Sequence, residues 1–115
     1  MQTRTIKFRA WDGKSMYNNV VIIDGEAYLR DYFATMVKAG DCVMQYTGLK
    51  DKNGVEIYEF DVVKTEHGAL GFLEYNAPAF VFNCKEPLWN HPVYGMGGEK
   101  EIIGNIYENP ELVDE

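Results

Sequence analysis

The stretch DVVKTEHGALGFLEY, Asp61 to Tyr75, decides the fold. Asp61 to Thr65 is short and rich in β-branched residues, and His67-Gly68 is a turn signal. From Ala69 onward Leu70, Phe72 and Glu74 alternate with Gly71, Leu73 and Tyr75. A period of two places successive side chains on opposite faces of a strand, so the stretch reads as two strands joined by a tight turn.

The same pattern repeats upstream. Ile6, Phe8 and Ala10 alternate with Lys7, Arg9 and Trp11, and Asp12-Gly13 turns the chain into a short strand through Met16 and Tyr17. That predicts an N-terminal hairpin. Val20 to Ile23 is too short and too β-branched for a helix, and Asp24-Gly25 closes it. Cys42 to Tyr46 reads as extended, and Thr47 to Gly54, with its glycines, Asp51 and Asn53, reads as a loop. Downstream, Asn76 to Gly98 reads as a long loop except for Ala79 to Phe82, and Glu101 to Ile106 makes a last strand that Asn109-Pro110 stops. Glu26 to Ala39 departs from this pattern: Leu29, Tyr32 with Phe33, and Met36 with Val37 recur at helical spacing, and Gly40 stands where a C-terminal cap belongs. The expected fold is mainly β, of α+β class: a small antiparallel barrel or sandwich of short strands with one helix near residues 26–39.

A chain of 115 residues fits one domain, residues 1–115, with the last few forming an acidic tail free to fray. The hydrophobic share of 46% excludes wholesale disorder. The longest aliphatic run, Val20 to Ile23, falls far short of the roughly 20 residues that cross a bilayer. MQTRTIKFRAW lacks the apolar segment of a secretory signal. A cytoplasmic protein without membrane association is expected. Cys42 and Cys84 form no CxxC and read as buried thiols. Net charge is −7, with a basic start and an acidic end, which favours basic partners and makes nucleic acid an unfavourable one.

Met44 to Val63, MQYTGLKDKNGVEIYEFDVV, gathers acids, an amide and glycines as a calcium loop does. Counting from Asp51, however, the glycine falls two residues early and the twelfth position is Val62 rather than a glutamate. What remains is turn chemistry, with Asp51 and Asn53 bonding nearby amides and Gly54 taking a positive φ. His67, Cys84, His91 and Cys42 lack the close pairing of a zinc site. Glu59 and Asp61 would share one face of a strand, where a solvated pair is commoner than an acid-base pair. No nucleophile elbow, zinc-protease helix or phosphate loop motif occurs, so no catalytic residue, cofactor or metal is expected and the chain reads as a non-enzyme.

Three motifs in order, FRAWD near the start, QYTGLKDKNG with EIYE and DVV in the middle, and EIIGNIYENPEL near the end, resemble the YopX family of bacterial phages and prophages. The resemblance spans nearly the whole chain and implies a small, largely β domain with no established reaction. Its signature loop comprises Tyr46, Gly48, Asp51, Asn53, Gly54, Ile57, Tyr58 and Asp61. The family commonly reads IYEGD where this chain has Phe60 between Glu59 and Asp61. If that glycine serves a positive-φ bend, Phe60 is expected to be relieved of the geometry.

The function expected is that of a phage or prophage accessory protein that binds a host or phage protein or associates with itself. Tyr residues suit interfaces, and Trp89, Tyr94 and Tyr107 are the contact candidates. An alternative is a nucleic-acid-associated protein using Lys7, Arg9 and Trp11, two cations beside an aromatic ring on one strand face. A small enzyme is the third reading.

Overall fold

The computed structural model describes residues 6–18, 20–29, 38–66, 68–77, 79–84, 91–92 and 99–112. The fold is mainly β and antiparallel, and the chain divides into two compact units, Met1–Tyr46 and Thr47–Glu115.

In the first unit, β1 (Phe8–Trp11) pairs with β2 (Met16–Tyr17), Ala10 opposite Tyr17. The expected Asp12-Gly13 turn joins them: Asp12 Oδ1 accepts from the amides of Lys14 and Ser15, both at 2.8 Å, and Asp12 Oδ2 accepts from the Tyr17 hydroxyl at 3.0 Å. The Ser15 and Lys14 amides are the main reason the Asp12 carboxyl sits below its ordinary pKa. A second hairpin joins β3 (Val20–Ile23) to β4 (Glu26–Leu29) through Asp24-Gly25 alone. Both turn residues have positive φ, 52° and 80°, as a two-residue turn matching the twist of its strands requires.

Glu26–Leu29 is therefore a strand and does not open the expected helix. The rest of that segment lies outside the described residues until β5 (Lys38–Gly40), which pairs with β4. Leu29 had supplied the first position of the helical spacing. In the structure it packs with Phe8, Tyr17, Ile22 and Val43 on the buried residues Ala10, Val20, Ala27 and Ala39. The Asp24-Gly25 turn folds Glu26–Leu29 back on β3. Gly40 is no helix cap either. A Cβ there would stand 2.7 Å from the Trp11 carbonyl carbon, so the glycine admits close passage of backbone past backbone.

β6 (Cys42–Lys50) pairs along its first half with β1, Phe8 opposite Gln45 and Trp11 opposite Cys42. It runs on as a strand through Thr47 to Lys50, where a loop was expected, because β7 (Glu56–Tyr58) lies beside it. Thr47 Oγ1 donates to the Ile57 carbonyl at 2.7 Å.

The second unit holds a sheet ordered β11-β10-β9-β8-β12. β8 (Asp61–Thr65) and β9 (Leu70–Asn76) are the two strands of the opening stretch, paired Val63 to Gly71. β10 (Ala79–Cys84) and β11 (His91–Pro92) fall in the expected long loop, much of which lies outside the described residues. β10 outruns its periodic core because six consecutive residues pair with β9. β12 (Lys100–Asn105) pairs with β8 at the edge of the sheet, and Ile103 is bulged between Ile102 and Gly104. Paired positions share a face, so Val63, Leu73 and Phe82 meet Ile57 in the core of this unit, flanked by Leu49, Phe80 and Ile102.

Phe60 is not relieved of the bend: its φ is 66°. Its backbone N donates to the Leu73 carbonyl, and its carbonyl accepts from the Ile106 amide at 3.0 Å. Its ring lies 6.2 Å from Phe72 and edge-on to Tyr107 at 5.9 Å. The surroundings over-determine a conformation that an isolated phenylalanine disfavours.

Candidate functional site

Asp51 organises the signature turn. It is 8% exposed, and its Oδ1 accepts from the amides of Asn53 and Val55 at 2.9 Å each. Its other oxygen accepts from the Ile102 amide on β12 at 3.1 Å. The turn closes with Asp51 N donating to the Val55 carbonyl at 2.8 Å and Gly54 N, at φ 83°, donating to the Asp51 carbonyl at 3.0 Å. Burial pushes the Asp51 carboxyl up, but the amides of Val55, Ile102 and Asn53, with Lys52 nearby, outweigh it and hold the carboxyl below its ordinary value. Lys52 N donates to the Lys100 carbonyl at 2.8 Å. Lys100 and Ile102 are thus held on the side of β12 away from β8, and the turn covers an otherwise open strand edge.

The other signature residues are scaffold as well. Ile57 is fully buried, Tyr46 and Tyr58 are nearly so, and Gly48 holds a positive φ within β6. Asp61 is 2% exposed and accepts from the Tyr58 amide at 2.8 Å. Asp61 opens β8 while Glu59 lies in the preceding turn, so the two carboxylates do not share a strand face as expected. Sequence reasoning missed Asn105, which stands opposite Asp61. Its Oδ1 accepts from the amides of Tyr107 and Glu108, and its Nδ2 donates to Glu108 Oε1 at 2.8 Å. Asn109 Oδ1 in turn accepts from the Asn105 amide, and a Cβ on Gly104 would stand 2.8 Å from Asn109 Cγ. The GNIYENP run offered the signal: short polar side chains around a turn.

Lys7, Arg9 and Trp11 do not form an exposed face. Arg9 is 7% exposed, and its Nε donates to Met44 Sδ at 3.4 Å. Trp11 is half-buried, and exposed Lys7 lies 5.9 Å over the Tyr46 ring. Tyr107 is half-buried against Phe60. Trp89 and Tyr94 lie outside the described residues, as do the side chains of His67, Cys84 and His91, leaving only Cys42 of the zinc candidates in view as a free, half-buried thiol.

Beside the Asp51 turn lies an open groove of about 290 Å³ lined by Lys52, Lys64, Thr65, Glu66, Glu99, Lys100 and Glu101. Lys52 and Glu101 approach to 3.6 Å across it. Glu101, Lys64 and Leu70 stand opposite one another on β12, β8 and β9. Three exposed apolar side chains lie on the elements that carry these residues or pair with them: Leu70 opposite Lys64 on β9, Ile103 two residues past Glu101 on β12, and Val55 on the 51–55 turn. Mixed charge beside exposed aliphatics suits contact with another macromolecule. Among the described residues no helix is long and apolar enough to cross a membrane.

The sequence profile of the YopX protein family matches residues 7–114. A crystal structure of protein EF1440 from Enterococcus faecalis is similar, with a TM-score of 0.63 at 27% identity, covering 97% of this chain and all of that one. The crystal structure of protein yopX from Bacillus subtilis has a TM-score of 0.62 at 19% identity, covering 94% of this chain and 98% of the other, and shows the same fold. No curated protein matches the chain.

Proposed function

Because the chain belongs to the YopX protein family, and its signature residues serve here as scaffold, we propose that it is a binding module: a phage- or prophage-encoded accessory protein of the host cytoplasm that engages another protein or a second copy of itself. The observation that carries this reading is the charged groove, together with the exposure of Val55, Leu70 and Ile103 on the turn and strands that flank it in the chain or the sheet. Exposed apolar side chains next to opposed charges supply contact area, while the charges select the partner and its register.

The test is affinity capture of the tagged protein from infected host lysate with and without nuclease, run beside a Leu70→Asp, Ile103→Asp variant, together with sedimentation of the purified protein. The expected result is a stoichiometric protein partner, or a concentration-dependent dimer, that survives nuclease and is lost in the variant. Partners that vanish with nuclease would instead favour nucleic acid, and retention of the partner by the variant would move the contact away from the groove.

A further inference from the structure

We infer that Asn53-Gly54 is a spontaneous modification site, where deamidation to isoaspartate unlocks the turn that covers the edge of β12. In the reaction the amide nitrogen of residue 54 gives up its proton to base and attacks Cγ of residue 53. The new N–Cγ bond displaces the side-chain nitrogen, which leaves as ammonia with a proton from water, and a cyclic imide remains. Water then adds at the main-chain carbonyl carbon of residue 53 and opens the ring, so that the backbone runs on through Cβ and Cγ. Asparagine plus water has become isoaspartate plus ammonia, with no change of oxidation state.

The chain directs this chemistry to one place. Asn53 is exposed and is the asparagine followed by glycine, whose missing side chain leaves the attacking nitrogen unhindered. Asn105 precedes a β-branched isoleucine, and Asn109 precedes Pro110, which has no amide proton. The Asp-Gly pairs are poorer substrates because an ionised carboxylate resists attack. In addition, Asp12 is occupied by the Lys14 and Ser15 amides and the Tyr17 hydroxyl.

The fold also gates the reaction. Gly54 N is engaged with the Asp51 carbonyl while the turn is closed, so conversion proceeds from the opened turn, and the Asp51 carboxylate sets how often it opens. Three bonds close rings through the 53–54 linkage: Gly54 N to Asp51 O, Val55 N to Asp51 Oδ1, and Asp51 N to Val55 O. An extra backbone methylene breaks their register. The new carboxylate adds one negative charge to the existing −7, two residues from Asp51, which already carries the bond to Ile102. Ordered pairing of the turn with β12 is therefore lost.

The experiment ages the full-length protein in mildly alkaline buffer, with and without urea. Peptide mapping with isoaspartyl methyltransferase labelling and amide hydrogen exchange read the outcome, and Asn53→Ser and Asp51→Asn variants run alongside. The expected result is that Asn53 converts first, several-fold faster in Asp51→Asn and in urea than in the folded wild type. Exchange at Val55 and Ile102 should accelerate several-fold in the aged wild type, and Asn53→Ser should show neither change. Circular dichroism confirms that Asp51→Asn is folded, and the urea arm probes the gate without that variant. Conversion of another asparagine ahead of Asn53, a folded-state rate equal to that in urea, or unchanged exchange at Val55 and Ile102 after conversion would each overturn the inference.

Discussion

Phe60 holds a left-handed backbone, φ 66°, that costs a residue with a Cβ about 1–2 kcal/mol. Its contacts with Phe72 and Tyr107 offset that cost, each aromatic pair contributing about 0.5–1.5 kcal/mol beyond buried area. Two variants separate these effects. Phe60→Ala keeps the strain and loses both rings, and is expected to lower stability by about 2 kcal/mol. Phe60→Gly loses the rings and the strain together, and should be more stable than Phe60→Ala by about 1 kcal/mol. Urea unfolding of the three proteins checks the order; equal midpoints for Ala and Gly would show that the bend carries no strain.

At the scale of elements, the 51–55 turn and β12 are joined by a carboxylate. Asp51 is held below its ordinary pKa, so its contribution to stability is fully present above the unfolded value of about 3.9 and is lost as pH falls through the lower folded value. Asp51→Asn is accordingly expected to cost about 1–3 kcal/mol at neutral pH, where the wild type has charge-assisted amide bonds. The difference between the two proteins should shrink in acid below that unfolded value and nearly vanish below the folded one. Urea midpoints across the acid range measure it, and a constant difference would place the effect in geometry rather than charge. Asp51 as a turn former was legible from the sequence, since Asp with Asn and Gly within four residues signals a turn. Its bond to Ile102 was not, because it spans 51 residues and no local pattern records it. The same limit hid β7, whose three residues are too short to show a period, and with it the continuation of β6 through Gly48.

For the molecule as a whole, tight turns and alternating residues were the readable part. Asp24-Gly25, Asp12-Gly13 and the Asp61–Tyr75 hairpin all form where the sequence places them, and the mainly β fold follows from them. At the start of the helix expected near 26–39 periodicity alone misleads: Leu29 fits a helical spacing, yet it lies on a strand that a two-residue turn has already reversed. The candidate site was less legible. The sequence gathered cations at Lys7 and Arg9 without revealing that Arg9 is buried, and the groove combines side chains from three separate stretches. Each unit has its own buried cluster, built on three alanines and Val20 in the first and on the larger side chains Ile57, Val63, Leu73 and Phe82 in the second. Leu73→Ala, which truncates one of the largest fully buried side chains, is expected to cost about 2–5 kcal/mol in urea unfolding. A cost under about 1 kcal/mol would mean that the cluster relaxes around the cavity.

The bulge on β12 has a consequence of its own. Ile102 stands opposite Val63, yet Gly104, not Ile103, stands opposite Val62, so Ile103 is the extra residue and Asn105 stands in line with Asp61. Delete that one position and Gly104 and Asn105 keep their partners in a regular ladder; what goes is the bend and added twist that the extra residue gives the strand. The side chain at 103 itself is 37% exposed, with room for many others. Position 103 is one that the fold uses for shape and not for pairing: it bends the strand, and its letter is free for whatever the surface needs to say.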